Sequence, residues 1–133
     1  MFAKKQAKPQ TRIDCLIGVG TRIEGDLTFS GGLRIDGQVL GNIRSVEGKE
    51  ATLVISEQAR VTGEIHVSHA MINGSVTGPI FSSDYLELQP KAQIVGDVEY
   101  SAIEVALGAV VQGRLICKAA EAKVALLPAP TDL

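Results

Sequence analysis

Apolar and polar residues alternate along most of this chain, but only over two or three positions at a time. A Gly or another small residue then interrupts the alternation before it resumes, as in RIDGQVLGNI (34–43) and again in MINGSVTGPI (71–80). A period of two predicts β-strand, and short strands interrupted by glycine predict corners. The pattern therefore predicts an all-β chain of short strands joined by tight turns.

The alternation recurs as six modules. They begin at residues 15, 33, 53, 70, 86 and 103, so the spacings are 18, 20, 17, 16 and 17 residues. Strands this short bury too little to be stable as hairpins, but they become stable when each turn of the chain stacks on the next, about 4.8 Å away. We therefore predict a three-sided parallel β-helix of about six windings, with Ile, Val and Leu stacked inside. In the segment 34–43, Ile35, Val39 and Ile43 are predicted to point inward, and Asp36 and Asn42 outward.

Variable module length predicts the hand of the winding. Left-handed β-helices usually follow a strict hexapeptide repeat, which is absent here, so we expect a right-handed helix. The longest spacing, 20 residues, predicts an outward loop in VEGKEAT (46–52). The chain is divided accordingly into a basic N-terminal tail (1–12), a β-helix core (13–117) and a C-terminal tail with a possible short cap (118–133); both tails are expected to be mobile.

Eight glycines fall at the predicted corners. A residue without a Cβ accepts both positive φ and crowding by adjacent turns. The corner glycines are Gly25, Gly37, Gly41, Gly63, Gly74, Gly78, Gly96 and Gly113.

Composition places the chain in the cytoplasm. No apolar run approaches the length of a membrane span, and no signal-peptide core follows the first lysines, so a soluble cytoplasmic protein is expected. Cys15 and Cys117 are far apart and not in metal-like spacing. This fits a reducing compartment without a disulfide framework, with Cys15 in an inward apolar position.

Charge is unevenly distributed. Residues 1–12 contain Lys4, Lys5, Lys8 and Arg12 and no acid, a net +4; the whole chain is −2, so residues 13–133 carry −6. A basic arm on an acidic body argues against nucleic-acid binding by the core.

No catalytic, cofactor or metal site is predicted. GVGTRIEG (18–25) fits neither glycine-rich nucleotide motif. His66 and His69 are three residues apart on a predicted strand, which places their rings on opposite faces and disfavours a shared metal. The carboxylates occupy outward polar positions without a paired acid and base, so the chain is not predicted to be an enzyme.

Both ends of such a helix are predicted to associate with other subunits. Each end presents an apolar cross-section and unpaired backbone groups, and monomeric solenoids cover these with polar caps. No strong cap precedes the first module or follows the last. We expect end-to-end self-assembly without nucleotide, through candidate residues in the first and last modules. These are Ile13, Cys15, Ile17, Ile23, Val105, Val111, Leu115 and Ile116.

The ordered succession IGVGTRIEGDL (17–27), LRIDGQVLGNI (33–43), ARVTGEI (59–65), INGSVTG (72–78) and AQIVGDV (92–98) resembles the bactofilins, bacterial β-helical cytoskeletal proteins. The resemblance covers about residues 12–116. It implies a right-handed, three-sided β-helix whose cores join end to end into non-polar filaments, bundles or sheets. It also implies a scaffold on the inner face of the cytoplasmic membrane that positions proteins of cell-wall synthesis or hydrolysis.

The same resemblance gives the N-terminus a role. MFAKK is similar to the short membrane-targeting segment of many bactofilins, in which Met1 and Phe2 would insert and Lys4 and Lys5 would meet anionic head groups. One departure is that no aromatic residue follows Tyr100, where bactofilins often place one at the subunit joint. Two alternatives stay open: a monomeric or small-oligomer adaptor and, with less support, an acyltransferase-like β-helical enzyme.

Overall fold

The computed structural model describes residues 12–118, which form sixteen β-strands. The strands are β1 (Cys15–Ile17), β2 (Arg22–Glu24), β3 (Leu27–Phe29), β4 (Gly31–Ile35), β5 (Gln38–Leu40), β6 (Ile43–Ser45), β7 (Ala51–Ile55), β8 (Arg60–Thr62), β9 (Ile65–Ile72), β10 (Ser75–Thr77), β11 (Ile80–Leu88), β12 (Gln93–Val95), β13 (Val98–Tyr100), β14 (Ile103–Val105), β15 (Val110–Gln112) and β16 (Leu115–Cys117). Residues 1–11 and 119–133, which hold almost all of both predicted tails, lie outside the described residues.

Every strand pairs in parallel with the equivalent strand one turn away, so the chain winds as a β-solenoid. Each turn contributes three strand segments, and these build three stacks. The first stack runs from β1 through β4 and β7 to the second half of β9, the second half of β11 and β14. The second stack is a separate six-stranded sheet of β2, β5, β8, β10, β12 and β15. The third runs from β3 through β6, the first halves of β9 and β11, and β13 to β16.

This pairing confirms the predicted all-β chain of about six parallel windings. The predicted module positions are register partners: Leu33 pairs with Leu53, and Leu86 pairs with Ile103. The hand of the winding and the number of sides stay predictions.

Alternate residues of each strand point inward and stack in columns. In the second stack the burial pattern of β8 is exposed, buried, exposed, with Val61 at 1% exposure. Its column is made of apolar residues only. The column consists of Ile23, Val39, Val61, Val76, Ile94 and Val111. Full burial of such a side chain contributes about 1.5–3 kcal/mol, so this column stabilises the stacking of short strands.

The corner between the second and third stacks has the same length in every turn. Two residues separate the strands, as between Glu24 and Leu27, and the first of the two is glycine. A Cβ on Gly63 would lie 2.1 Å from the carbonyl oxygen of Gly41, one turn below. This glycine corner comprises Gly25, Gly41, Gly63, Gly78, Gly96 and Gly113, and from Gly41 onward the backbone of the preceding turn is too close to admit a side chain.

Gly37 and Gly74 lie at a different corner, between the first and second stacks. Neither has positive φ. A Cβ on Gly37 would lie 2.3 Å from the Thr21 carbonyl oxygen, and one on Gly74 would lie 2.2 Å from that of Ser56. Crowding by the preceding turn is therefore the reason for glycine at both positions.

The third corner carries the long loop. Residues 46–50 lie between β6 and β7, and the Val46 amide donates to the Phe29 carbonyl at 2.8 Å. The loop is shorter than the predicted 46–52, because Ala51 and Thr52 already pair with Gly31 and Gly32 in β4.

The straight strand assumed for His66 and His69 is not present at this corner. β9 bends between Val67 and Ala70, which are both buried, so the strict alternation expected for His66 and His69 breaks there. The two rings therefore cannot be assigned to opposite faces of one flat strand, and both histidines are half-buried.

Candidate assembly surfaces

Among residues 12–118, the first turn ends in an apolar cross-section that no other turn covers. Ile17 is nearly buried at 7% exposure, and Ile23 packs against the core only in part. Cys15 pairs with Leu33, which is 2% exposed, so it occupies the predicted inward column. Cys15 is nevertheless exposed and is not a buried core residue, because no residue between 12 and 118 covers it from below.

Just before the first turn, the chain runs along the edge of the second. Ile13 is 40% exposed, and the neighbouring Asp14 amide donates to the Gly32 carbonyl at 2.8 Å. The Asp14 carboxylate accepts the Gly32 amide at 2.9 Å, and this bond keeps the pKa of Asp14 below its usual range. The candidate N-terminal residues therefore lie together at one end.

The last turn ends in a second open cross-section. Val105 is 49% exposed and Leu115 is 48% exposed, while Val111 is half-buried. Leu115 pairs with Val98, which is fully buried one turn below. These three predicted residues are thus inward-column residues that no described residue covers from above.

Ile116 does not belong to this cross-section. It pairs with Glu99, at the middle position of a three-residue strand whose neighbour Leu115 takes the inward position. Ile116 is therefore placed on the flank of the last turn, and its part in a subunit joint stays a prediction.

Other end residues were not predicted. Leu27 and Phe29 in the first turn and Ile103 in the last are partly buried against the core, and Leu107 in the last turn is 96% exposed. The module register was a sufficient signal for Leu27 and Ile103, because each lies in a terminal repeat. Leu107 lies in a corner, where the alternation gives no signal.

The titratable groups of the described residues support the fold and do not form a metal site or an acid–base site. Within residues 12–118 no group of three His, Cys, Asp or Glu side chains is placed to hold a metal ion. A hydrogen bond from Ser56 holds the pKa of Asp36 below its usual range, with Arg34 adding to the effect. A hydrogen bond to Glu104 raises the pKa of Tyr85 to about 12. A carboxyl group that acts as a general acid near neutral pH needs a raised pKa, whereas the pKa of Asp36 is lowered.

A groove lies beside the long loop, along the outer side of the third stack. Its volume is about 870 Å³, and its wall includes the loop residues Glu47 and Lys49. Inside it the His66 and Phe81 rings stack with centroids 4.4 Å apart, and His66 Nε2 lies 3.0 Å from Glu64 Oε1. The groove contains charges of both signs.

The predicted membrane-targeting residues Met1, Phe2, Lys4 and Lys5 lie outside the described residues. Between residues 12 and 118, the structure contains no helix long and apolar enough to cross a membrane.

Comparisons with known proteins agree with the repeat and with the fold. Residues 15–116 match the family described as "Bactofilin: Polymer-forming cytoskeletal". The chain is 32% identical over 100 residues to Bactofilin BacO of Myxococcus xanthus (strain DK1622), covering 75% of this chain and 76% of that protein. It is 26% identical over 116 residues to Bactofilin BacP of the same organism, covering 86% of this chain but only 47% of the longer relative. No solved structure gave a significant match. The chain therefore belongs to the bactofilin family of polymer-forming cytoskeletal proteins, and it is a structural protein rather than an enzyme.

Proposed function

We propose that this bactofilin is a bacterial scaffold whose cores join end to end, without nucleotide, into non-polar filaments. The observation that carries the proposal is the half-exposed state of Val105 and Leu115, whose partners one turn below, Leu88 and Val98, are fully buried. A second core placed on this end would bury the same positions. Removal of apolar area from water contributes about 25 cal/mol per Å², so such a joint requires no nucleotide.

The test is to place charge in one cross-section only. We expect the double variant Val105→Glu/Leu115→Glu to lose filaments, because a joint would bury two unpaired carboxylates. In a non-polar filament, like ends meet, so blocking the C-terminal end leaves the N-terminal joint intact and yields dimers. In a head-to-tail filament the same variant yields monomers. Negative-stain microscopy and sedimentation velocity separate these outcomes.

The control carries the same added charge on the flank. Val54 and Met71 are register partners on the outer side of the first stack. We expect Val54→Glu/Met71→Glu to form filaments as the unmodified chain does. A purified full-length chain that stays monomeric at high concentration would contradict the proposal and favour the adaptor alternative.

We further propose that the filaments lie on the inner face of the cytoplasmic membrane. The sequence MFAKK supports this, since each Lys near an anionic surface is worth about 1 kcal/mol and a filament multiplies weak sites by avidity. Deletion of residues 2–5 is expected to abolish co-sedimentation of filaments with anionic liposomes. The dimeric Val105→Glu/Leu115→Glu variant, with the segment intact, is expected to bind weakly. Unchanged binding after the deletion would contradict this role.

The scaffold is proposed to position proteins of cell-wall synthesis or hydrolysis. Family membership is the support for this part. Co-purification of such enzymes with intact filaments, and their loss from the preparation of the dimeric variant, is the expected result.

A further inference from the structure

The outer side of the second stack differs from the outer sides of the other two. It is a continuous six-stranded parallel sheet, and the burial pattern of its strands places both outer residues in solvent, with Ser75 alone half-buried. We call this surface the neutral face. Its outer positions are Arg22, Glu24, Gln38, Leu40, Arg60, Thr62, Ser75, Thr77, Gln93, Val95, Val110 and Gln112.

Charge on this surface is confined to the first three turns. Arg22 and Glu24 pair with each other at 3.1 Å, which leaves Arg60 as the one other ionised group on the face. The last three turns present only Ser, Thr, Gln and Val. Val95 is 48% exposed and Val110 is 44% exposed.

The outer sides of the first and third stacks differ from the neutral face in their charges and in the loop beside them. The first stack carries Arg34, Glu87 and Glu104 along the middle of its outer side. The third stack is overhung by the loop 46–50, and Glu99 pairs with Lys118 at 3.6 Å across its upper end. The neutral face is therefore the side of the solenoid whose outer positions carry no ionised group in the last three turns.

We propose that the neutral face packs against the neutral face of a second copy of this chain and joins neighbouring filaments side by side. A nearly uncharged surface can meet its own copy without like-charge repulsion, whereas a charged partner would find few groups to pair with. Two such sheets repeat at the same interval along the stacking direction, so outer side chains can interdigitate at every turn, as in packed β-sheets about 10 Å apart.

The area of the neutral face determines whether it can join single subunits or only filaments. Six strands spaced about 4.8 Å apart, with two outer residues each, give a face about 25–30 Å by 10 Å, or roughly 300 Å². A stable interface between single proteins needs about 800 Å² per partner. One pair of subunits therefore falls short, but two filaments repeat the contact at every subunit and gain by avidity. This inference rests on the proposed end-to-end assembly: lateral joining follows polymerisation and does not replace it.

The experiment adds two positive charges to the face. Thr77 and Val95 are register partners on adjacent turns. Thr77→Lys/Val95→Lys is compared with Val54→Lys/Met71→Lys, which adds the same charge on adjacent turns of the first stack. Low-speed sedimentation measures bundles, high-speed sedimentation measures all filaments, and negative stain measures filament width.

We expect the unmodified chain and the Val54→Lys/Met71→Lys control to pellet at low speed as bundles. The Thr77→Lys/Val95→Lys variant is expected to lose at least tenfold of its low-speed pellet while its high-speed pellet and single-filament width are unchanged. Bundling that survives in this variant, or that is lost equally in the control, overturns the inference. If the unmodified chain forms filaments that never bundle, the inference alone fails; if it forms no filaments, the proposed function fails as well.

Discussion

The third and sixth turns contain the same pattern in two different environments. Val61 in the third turn and Val111 in the sixth belong to one column, yet Val61 is 1% exposed and Val111 is only half-buried. The strands around them have the same length and the same parallel pairing. The difference comes from the neighbours: the third turn is covered on both sides, and no described residue covers the sixth.

This comparison shows that one repeat can serve stability in the middle and association at the ends. A residue that stabilises the fold in a covered turn becomes a contact residue in an uncovered one. Substitutions at equivalent positions should therefore separate folding from assembly.

The largest expected difference concerns the glycine corner. Gly63 and Gly25 have similar positive φ angles, 144° and 133°, but a Cβ on Gly63 would meet the Gly41 carbonyl oxygen at 2.1 Å, whereas one on Gly25 has nothing within 4 Å. We expect Gly63→Ala to lower the free energy of unfolding by more than about 3 kcal/mol, because backbone must move. Gly25→Ala should cost about 1–2 kcal/mol from φ strain alone.

Chemical denaturation of both variants measures this difference. To keep filament formation out of the comparison, both variants are made in the Val105→Glu/Leu115→Glu background and are measured at a dilution at which sedimentation velocity shows monomers. Equal losses would show that the φ angle, and not the approach of adjacent turns, requires glycine at this corner.

The core columns give a smaller difference. Val61→Ala removes two methyl groups from a fully covered position, and we expect a loss of about 2–3 kcal/mol in the free energy of unfolding. Val111→Ala should cost less than about 1 kcal/mol in subunits whose end is uncovered, but it should raise the critical concentration for filament formation. A Val111 variant that loses stability without affecting assembly would break the proposed link between exposure and joining.

The smallest expected effect concerns the bonds between turns. Asp97 accepts the Arg114 amide at 3.1 Å and its guanidinium at 2.8 Å, whereas in the middle Asn42 accepts the Glu64 amide at 2.9 Å without charge. The Arg114 hydrogen bonds lower the pKa of Asp97 from its ordinary 3.8. A lowered pKa stabilises the folded state fully above that ordinary value, and the contribution is lost as the pH falls through the lowered one.

We therefore expect acid below about pH 3.8 to loosen the last turn before the middle ones. Hydrogen-exchange protection of the Arg114 amide should fall relative to that of Glu64, and Asp97→Asn should remove this dependence while keeping the backbone bond. Protection that declines equally at both amides would indicate global acid unfolding instead.

Much of the fold followed from the repeat. The six modules predict the parallel register, and they also predict which residues point inward. Ile35, Val39 and Ile43, for example, are fully buried in three successive strands of one turn. Local alternation is sufficient here because every turn repeats the same environment.

The exceptions lie where a turn lacks its neighbours or changes its length. Cys15 fits the module pattern but is exposed, because burial depends on the next turn and not on the residue itself. Gly32 was not predicted as a crowded position, although a Cβ there would lie 1.8 Å from the Arg12 carbonyl oxygen. That contact involves chain before the first module, which carries no repeat. The bend of β9 at Ser68 and His69 likewise escapes a rule based on straight strands.

The three corners differ in whether they tolerate a change in the length of a repeat. At the glycine corner the two-residue connection is held between backbones above and below it, so an insertion there would push apart every later turn. At the third corner the loop 46–50 already departs from the stack, and Gly48 has open space around it. A fluorescent protein or an epitope inserted after Gly48 should therefore leave both ends and the neutral face available, which makes this loop the position at which filaments can be followed in living cells without altering them.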